Sequence, residues 1–434
     1  MKKLLFINLL VLSFAVASFA QDDVYPTPEN KGLLFIKNAT IHVGNGQIIE
    51  NGSIQVNNGK IEKVGSDIAI PADVKVFDAK GKHVYPGLIL SSTQLGLQEI
   101  GGNAVRGSND YQELGEYNTN IRSIVAYNAD SRIIGTLRAN GILLANTIPQ
   151  GGLLTGASSV VQLDAWNYED AVYKSDVGIN FNMPNLLSRP GGGFFGPQPP
   201  VDVVKKGLEK IEEVKQFFRQ AKAYVQETTH AETNLKFEAL RPLFEKKQKL
   251  FIRCDIVKQI LIAIDFAKEF DFNVVLIGAS ESYHVADLLK QNNIAVILGQ
   301  EHALPTAEDD DIDQPFKTPA VLQKAGVLFS LNDEDETTRY RNLMFNAGTA
   351  VSYGLTKEEA LSAITLNAAK ILGIDNRTGS IEVGKDANIV ISEGDILDMR
   401  TSIVTDAFIQ GRKVSLENKQ TQLYERYKHK YGLK

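Results

Sequence analysis

The sequence predicts an α/β protein that consists of a (β/α)8 TIM-like barrel and a small discontinuous β-sandwich domain built from both ends of the chain. Short alternating strands fill residues 33–84 and return after residue 379, whereas continuous apolar strands alternate with helical patterns in between. Buried strands that alternate with helices are typical of a parallel sheet. The number of these units suits a closed barrel better than a doubly wound sheet.

The first twenty residues have the composition of a secretory signal peptide. Two lysines precede an apolar run over residues 4–16, and small residues precede Gln21. The apolar run is shorter than the roughly 20 residues that cross a bilayer. We therefore expect cleavage near the junction of Ala20 and Gln21, export to the periplasm or the cell exterior, and no membrane span in the mature chain.

Patterning divides the rest of the chain into four parts. Residues 21–84 and 380–416 are predicted to form the composite β-sandwich, because Asn-Gly pairs separate the first strands and supply the positive φ angles of tight hairpin turns. Residues 85–379 are predicted to form the barrel. An insertion at 187–235 combines a Gly/Pro-rich loop with a long amphipathic helix that packs on the barrel. Residues 417–434 are predicted to be a polar surface helix.

Composition excludes several classes of function. The formal net charge of −6 in 434 residues offers no basic excess for nucleic acid phosphates. The single cysteine, Cys254, cannot form an internal disulfide, and its apolar surroundings predict a buried, inert thiol. None of the six histidines occurs in a His-x-His or His-Glu-x-x-His pattern, so no motif with metal-ligand spacing is present. Homo-oligomerisation stays open.

Several segments, in chain order, resemble the amidohydrolase superfamily, and most of all its imidazolonepropionase-like exported bacterial branch. They are residues 38–46, 58–65, 81–89, 365–373 and 379–390. The resemblance implies an active site at the C-terminal ends of the barrel strands. In active members, one or two divalent metals, zinc or another, are held by histidines and an aspartate, and they activate water for attack on a carbon–nitrogen bond.

The first barrel strand of this chain departs from the family pattern. Members of the family usually carry Asp-x-His-x-His after the Pro-Gly-Leu-Ile motif, and this chain has Leu90, Ser92 and Gln94 at the corresponding positions. Serine and glutamine offer neutral oxygens, which are poor ligands for zinc. We therefore expect no metal and no other cofactor, and we predict that Ser92 and Gln94 contact a small-molecule ligand.

The other family ligands are also replaced. The histidine of the fifth strand corresponds to Arg253, and the aspartate of the eighth corresponds to Asp333 or Asp335. A guanidinium repels a divalent ion and can take over its electrostatic role. Arg253 is predicted to pair with one of these aspartates, because a buried charge needs a partner. The alternative is that it binds an anionic group of a ligand.

Two histidines follow predicted barrel strands, where loops build active sites. His302 is a candidate catalytic residue together with Asp333 and Asp335, and His284 is a candidate for ligand binding at the barrel mouth. For His284, a surface position at the start of a helix is the competing interpretation.

Three functions stay open. A working amidohydrolase would cleave a carbon–nitrogen bond in a cyclic amide or a dipeptide-like substrate. A catalytically inactive relative, or pseudoenzyme, would bind a small molecule or a protein partner without turnover. Metal-free hydrolysis would use Asp333, Asp335 and His302. The replaced ligands favour the second function slightly over the first, because a fold does not confer chemistry.

Overall fold

A computed structural model of the chain describes residues 25–99, 110–187, 202–227, 229–307, 309–333 and 339–433. The predicted signal peptide, the Gly/Pro-rich loop after residue 187 and the candidate catalytic residue Asp335 lie outside the described residues. The predicted fold class is confirmed, since a nearly closed eight-stranded barrel accompanies a smaller sheet built from both ends of the chain.

Sixteen strands form the two sheets in the described part of the chain. They are β1 (Leu33–His42), β2 (Ile48–Asn57), β3 (Lys60–Gly65), β4 (Lys75–Asp78), β5 (His83–Pro86), β6 (Leu88–Thr93), β7 (Ile142–Thr147), β8 (Leu154–Gln162), β9 (Val172–Asn182), β10 (Lys249–Cys254), β11 (Val274–Gly278), β12 (Ala295–Leu298), β13 (Phe329–Leu331), β14 (Ile389–Ser392), β15 (Val404–Ile409) and β16 (Arg412–Val414).

Twelve α-helical segments lie among the described residues. They are α1 (Arg132–Ala139), α2 (Tyr168–Ala171), α3 (Val203–Gln226), α4 (Leu235–Glu238), α5 (Arg241–Phe244), α6 (Val257–Phe270), α7 (Ala286–Gln291), α8 (Gln314–Ala325), α9 (Leu343–Ser352), α10 (Lys357–Ala363), α11 (Leu366–Leu372) and α12 (Lys419–Tyr431). Within the structure as described, none of the helices combines the length and the apolar composition that crossing a bilayer requires.

The small domain is one hydrogen-bonded sheet in the order β16-β15-β14-β5-β1-β2-β3, with β4 also paired to β1. Strands from both ends of the chain meet in it, as predicted. The ten-residue β1 binds β2 along one edge and β4 and then β5 along the other. The predicted boundary at residue 84 falls inside β5, because Tyr85 and Pro86 still pair with β14.

The barrel follows the order β6 to β13, and one strand runs against the predicted parallel direction. β8 is antiparallel to both β7 and β9. The cause is loop length. Residues 148–153 alone join β7 to β8, whereas a parallel connection needs a crossover of a dozen or more residues. The other five pairings in this sheet are parallel, as predicted.

Side chains close the seam between the first and last barrel strands, where the described residues show no backbone ladder. The Asn332 amide nitrogen donates to the Ser92 carbonyl oxygen at 2.8 Å, and the Asn332 amide oxygen accepts from the Ser92 backbone nitrogen at 3.1 Å. The hydroxyl groups of Ser91 and Ser330 lie 3.1 Å apart across the same seam. All four residues are buried, so these bonds replace the missing ladder away from water.

The insertion helix and the C-terminal helix take the places that their patterns predict. α3 packs Phe218 against α6, with ring centroids 6.1 Å from Phe266 and 5.5 Å from Phe270. α12 lies on the surface against α1 and buries no residue fully. The apolar side of α3 therefore packs against the barrel, as its amphipathic pattern predicts.

A buried ionic cluster joins the barrel to the small sheet. Asp164, just after β8, accepts from the Arg138 guanidinium at 2.7 Å and from the Arg412 guanidinium of β16 at 3.1 Å. All three side chains are buried. Because both guanidinium groups share the single Asp164 carboxylate, removing that carboxylate would leave two buried positive charges without a partner.

We predict that Asn332→Ala lowers the free energy of unfolding by about 2–6 kcal/mol, because two buried backbone groups of Ser92 each lose a partner worth about 1–3 kcal/mol. Urea denaturation measures the change. Ser330→Ala is the matched control at the same seam, and it should cost only about 1 kcal/mol, since it removes one hydroxyl pair. Equal losses in the two variants would contradict the role assigned to Asn332.

Candidate functional site

The predicted site residues of three barrel strands meet at the mouth of the barrel. The Arg253 guanidinium, at the end of β10, donates to the Ser92 hydroxyl of β6 at 3.4 Å. Asn332 holds the Ser92 backbone and precedes Asp333 directly. The backbone nitrogen of Gln94 donates to the Tyr340 hydroxyl at 3.4 Å, which places Gln94 at the same end of the barrel.

Asp333 is buried and oriented by α9. One of its carboxylate oxygens accepts from the Asn346 side-chain amide at 3.2 Å, and both residues are almost fully buried. The carboxylate therefore has a defined direction at the place where the family resemblance expects an acidic group. The predicted ion pair between Arg253 and an aspartate stays a prediction.

The donor set at the mouth does not fit the metal centre that the family resemblance implies. Ser92 contributes a hydroxyl that already accepts from Arg253, and Gln94 has only a neutral amide oxygen. Arg253 brings a positive charge to the place of an imidazole. Across the ranges that the structure describes, no group of three or more His, Cys, Asp or Glu side chains could hold a metal ion. We therefore derive no chemical step through a metal.

A cavity of about 390 Å³ opens beside these residues, between the ends of β10, β11 and β12 and the start of α8. Arg253 and Asp255 line one side, and Tyr283, Asp310 and Glu301 line the others. The Tyr283 hydroxyl donates to the Asp310 carboxylate at 2.9 Å, which ties two of the lining loops together. This volume lies within the usual range of small-molecule sites, about 300–1,000 Å³.

Glu301 is the functional candidate that the sequence reasoning missed. Its side chain is 2% exposed, and neither carboxyl oxygen has a hydrogen-bond partner among the described residues. Burial raises the pKa of the Glu301 carboxyl well above its usual value of 4.5, because no nearby charge compensates the desolvation of the ionised form. The Glu301 carboxyl therefore holds its proton more tightly than an exposed glutamate does.

His302, the predicted catalytic residue in the same loop, points away from the cavity. It is exposed, its Nε2 lies 2.9 Å from the Thr349 hydroxyl, and its ring packs edge-on against Phe316. Glu301 therefore lines the cavity with its carboxyl oxygens enclosed, and His302 lies outside the lining. An acidic residue directly beside a loop histidine was the signal in the sequence that could have revealed Glu301.

Two other residues lie outside the cavity lining. His284 is exposed, and its ring lies tilted against Tyr283 with 4.1 Å between the ring centroids. Tyr283 lines the cavity and His284 does not. This placement agrees with the competing interpretation, a surface histidine at the start of a helix. Cys254 is buried at the end of β10, and burial raises the pKa of its thiol, as expected for an inert cysteine.

Comparisons with known proteins agree with this architecture. The model of the Amidohydrolase family matches residues 200–416, which is half of the 434 residues. The crystal structure of an amidohydrolase from Thermotoga maritima is 27% identical to this chain, with a TM-score of 0.76. That alignment covers 88% of this chain and 99% of the Thermotoga chain.

Curated relatives match over shorter stretches. The imidazolonepropionase of Shewanella frigidimarina is 53% identical over 81 residues, which are 19% of this chain and 18% of the relative. The imidazolonepropionase of Picrophilus torridus is 31% identical over 175 residues, which are 38% of this chain and 42% of the relative. The alignments thus span from about a fifth to less than half of these relatives.

We predict that Glu301→Gln stabilises the protein relative to the wild type as the pH rises above about 4.5, by up to about 1.4 kcal/mol per pH unit. The sign follows from the raised pKa. The wild-type contribution of Glu301 is fully present below the pKa of the unfolded state and is lost as the pH rises towards the pKa of the folded state. Urea denaturation at about pH 4, 5.5 and 7 measures the difference.

Glu209→Gln, which neutralises an exposed carboxylate on α3, is the control for the loss of one negative charge. A difference between Glu301→Gln and the wild type that stays constant from about pH 4 to 7 would show that Glu301 is ionised in the folded protein.

Proposed function

Because the chain belongs to the amidohydrolase family, we propose that its barrel mouth binds a small carbon–nitrogen compound of the class that the family hydrolyses, and that it does so without a histidine-held metal. The family-level reaction is the hydrolysis of non-peptide carbon–nitrogen bonds, such as those of cyclic amides. The partial matches to imidazolonepropionases support a ligand with an amide-like ring. In this proposal, metal-dependent turnover is lost and ligand binding remains.

The observation that carries this proposal is the contact of 3.4 Å between the Arg253 guanidinium and the Ser92 hydroxyl. It joins two positions where the family resemblance implies metal ligands. A guanidinium there opposes a divalent cation by charge, and its hydrogen bond uses the oxygen that replaces an imidazole. The remaining N–H groups of an arginine are suited to a carboxylate or carbonyl oxygen of a bound compound.

The neighbouring cavity supports a binding role. It has the volume of a single-ring compound with a short substituent, and its wall combines apolar surface with a few polar groups. Leu304 is exposed at the rim and offers an apolar surface to an entering ligand. The basic and apolar start of the chain supports export, so we propose that binding takes place in the periplasm or outside the cell.

A second candidate, hydrolysis without a metal, is favoured by one observation. Asp333 is buried and is held by Asn346 in the segment where the family resemblance expects the general base. A carboxylate in this place can accept a proton from a water molecule that attacks the ligand. Hydrolysis of a cyclic amide in the presence of a chelator, lost in Asp333→Asn, would favour this candidate over binding alone.

We predict that the purified protein retains less than about 0.1 equivalent of zinc after incubation with zinc and gel filtration, because its donor set lacks imidazoles. A triple variant, Ser92→His with Gln94→His and Arg253→His, should retain about one equivalent, since it restores three nitrogen ligands beside Asp333. Elemental analysis measures both.

Thermal denaturation is the control for folding of the triple variant. Stoichiometric zinc, nickel or manganese in the wild type, together with metal-dependent hydrolysis of a cyclic amide, would contradict the proposed function.

A further inference from the structure

The helix α12 presents its largest side chains to solvent. Tyr424, Tyr427 and Tyr431 are 62%, 54% and 64% exposed, and no residue of the helix is fully buried. Their spacing of three and four residues places the three rings on one side of the helix. A tyrosine ring is apolar at its body and polar at its hydroxyl, which suits a boundary between an apolar and a wet layer. These three residues form the aromatic face of α12.

Two lysines lie beside the rings of the aromatic face. The Lys428 ammonium is 5.4 Å from the centroid of the Tyr424 ring. The Lys430 ammonium is 5.7 Å from the Tyr427 centroid and 5.2 Å from the Tyr431 centroid. Both cations therefore accompany the rings on the surface of the helix, so whatever contacts the rings also meets positive charge.

The charge of α12 is opposite in sign to that of the whole chain. Its ionised side chains are Glu425, Lys419, Arg426, Lys428 and Lys430. Four positive charges less one negative leave +3 on the helix, whereas the formal net charge of all 434 residues is −6. The Glu425 carboxylate lies 3.7 Å from the Lys428 ammonium, and such an exposed pair is weak enough to exchange for another anion. An anionic surface would therefore attract α12 and repel much of the remaining protein, which orients the molecule.

Local signals hold α12 in its helical form although it buries so little. The Asn418 side chain caps the first turn and accepts from the backbone nitrogens of Gln420 and Thr421, each at 3.0 Å. Gly432 ends the helix with a φ angle of 61°. The Thr136 hydroxyl of α1 donates to the Gln420 side chain at 3.2 Å and so attaches the first turn. Because the helix is already formed, docking avoids the entropy cost of ordering it.

We propose that α12 docks the protein on an anionic lipid bilayer, with the aromatic face at the level of the headgroups and the lysines on lipid phosphates. Helices with basic residues and aromatic rings lie in the plane of the membrane interface. Tyrosine is enriched at that interface, and lysine extends its charge towards the headgroups. This docking goes beyond the proposed function, because no α12 residue is among those that line the cavity in the described structure.

Two other occupants fit the aromatic face less well. A two-fold pair of chains would place the face against itself, so the lysines of one copy would approach those of the other. A nucleic acid duplex presents phosphates on its outside, which would engage the lysines and leave the three rings in water. A bilayer offers the phosphates and the apolar layer together, so it satisfies both kinds of side chain.

Co-sedimentation with lipid vesicles tests the docking. The chain from Gln21 onwards is used, because the apolar run over residues 4–16 would bind lipid by itself. Vesicles contain phosphatidylcholine alone or with about 30% phosphatidylglycerol, and we expect at least about tenfold tighter binding to the anionic vesicles at about 0.05 M salt. Most of this preference should disappear at about 1 M salt, where the Debye length is about 3 Å.

Two variants separate the roles of the rings and the charges. Replacing the three tyrosines of the aromatic face by serine should lower the affinity for anionic vesicles at least about tenfold. Lys428→Gln with Lys430→Gln should remove most of the preference for anionic over neutral vesicles. Lys206→Gln with Lys222→Gln, on the exposed side of α3, removes the same charge elsewhere and should leave binding unchanged. Thermal denaturation of each variant confirms that it is folded.

Several results would each overturn the docking. They are no binding to either kind of vesicle, equal binding to both, and unchanged affinity in the tyrosine or the lysine variant. Dimerisation measured by light scattering and lost in the tyrosine variant would assign the aromatic face to a second copy of the chain. Tighter binding of duplex DNA than of anionic vesicles would assign it to nucleic acid.

Discussion

The barrel depends on the pair of hydrogen bonds between the Asn332 amide and the backbone of Ser92. They join the last strand to the first, where no backbone ladder does so among the described residues. Because the amide fixes Ser92 at the seam, the Ser92 hydroxyl faces the end of β10, where Arg253 donates to it. The residues that the family resemblance assigns to metal binding therefore stabilise the closed barrel.

The contacts of Ser92 with Asn332 and Arg253 also explain the chemistry of the site. The Ser92 hydroxyl accepts from the Arg253 guanidinium, whose positive charge opposes a divalent ion at this place. The ionisable group that has no hydrogen-bond partner in the described part of the cavity is Glu301, and burial raises the pKa of its carboxyl. Under the proposed function, the Arg253 guanidinium stands where the family resemblance implies a metal ligand, and its N–H groups suit recognition of a ligand through hydrogen bonds.

Much of the fold could be predicted from the sequence because burial and turn chemistry act locally. Asn58 and Gly59 have φ angles of 47° and 80°, as the Asn-Gly turn between β2 and β3 requires. The apolar runs of β10 to β13 are strands of the barrel. The direction of β8 could not be read from its apolar pattern, since a buried strand has the same composition in either direction. The short connection from β7 to β8 is what indicates that β8 is antiparallel to β7.

The site was harder to predict, because side-chain direction after a strand depends on the path of the loop. The family resemblance indicated Ser92 and Arg253 as the replacements of two metal ligands, and the structure brings the two side chains together. His302 was predicted from its residue type, but its neighbour Glu301 lines the cavity. The same displacement by one residue separates His284 from Tyr283. Which of two neighbouring loop residues lines the cavity is determined only by the folded path of the loop.

The central claim is that a guanidinium and neutral side chains occupy the place of a metal centre. Anomalous X-ray scattering at the zinc edge, from crystals of the wild-type protein grown with zinc, tests it most directly. We expect no anomalous peak within about 3 Å of Ser92, Gln94 or Arg253, since zinc bonds to nitrogen and oxygen are about 2.0–2.2 Å long. A strong peak coordinated by these residues, with Arg253 displaced from Ser92, would contradict the account.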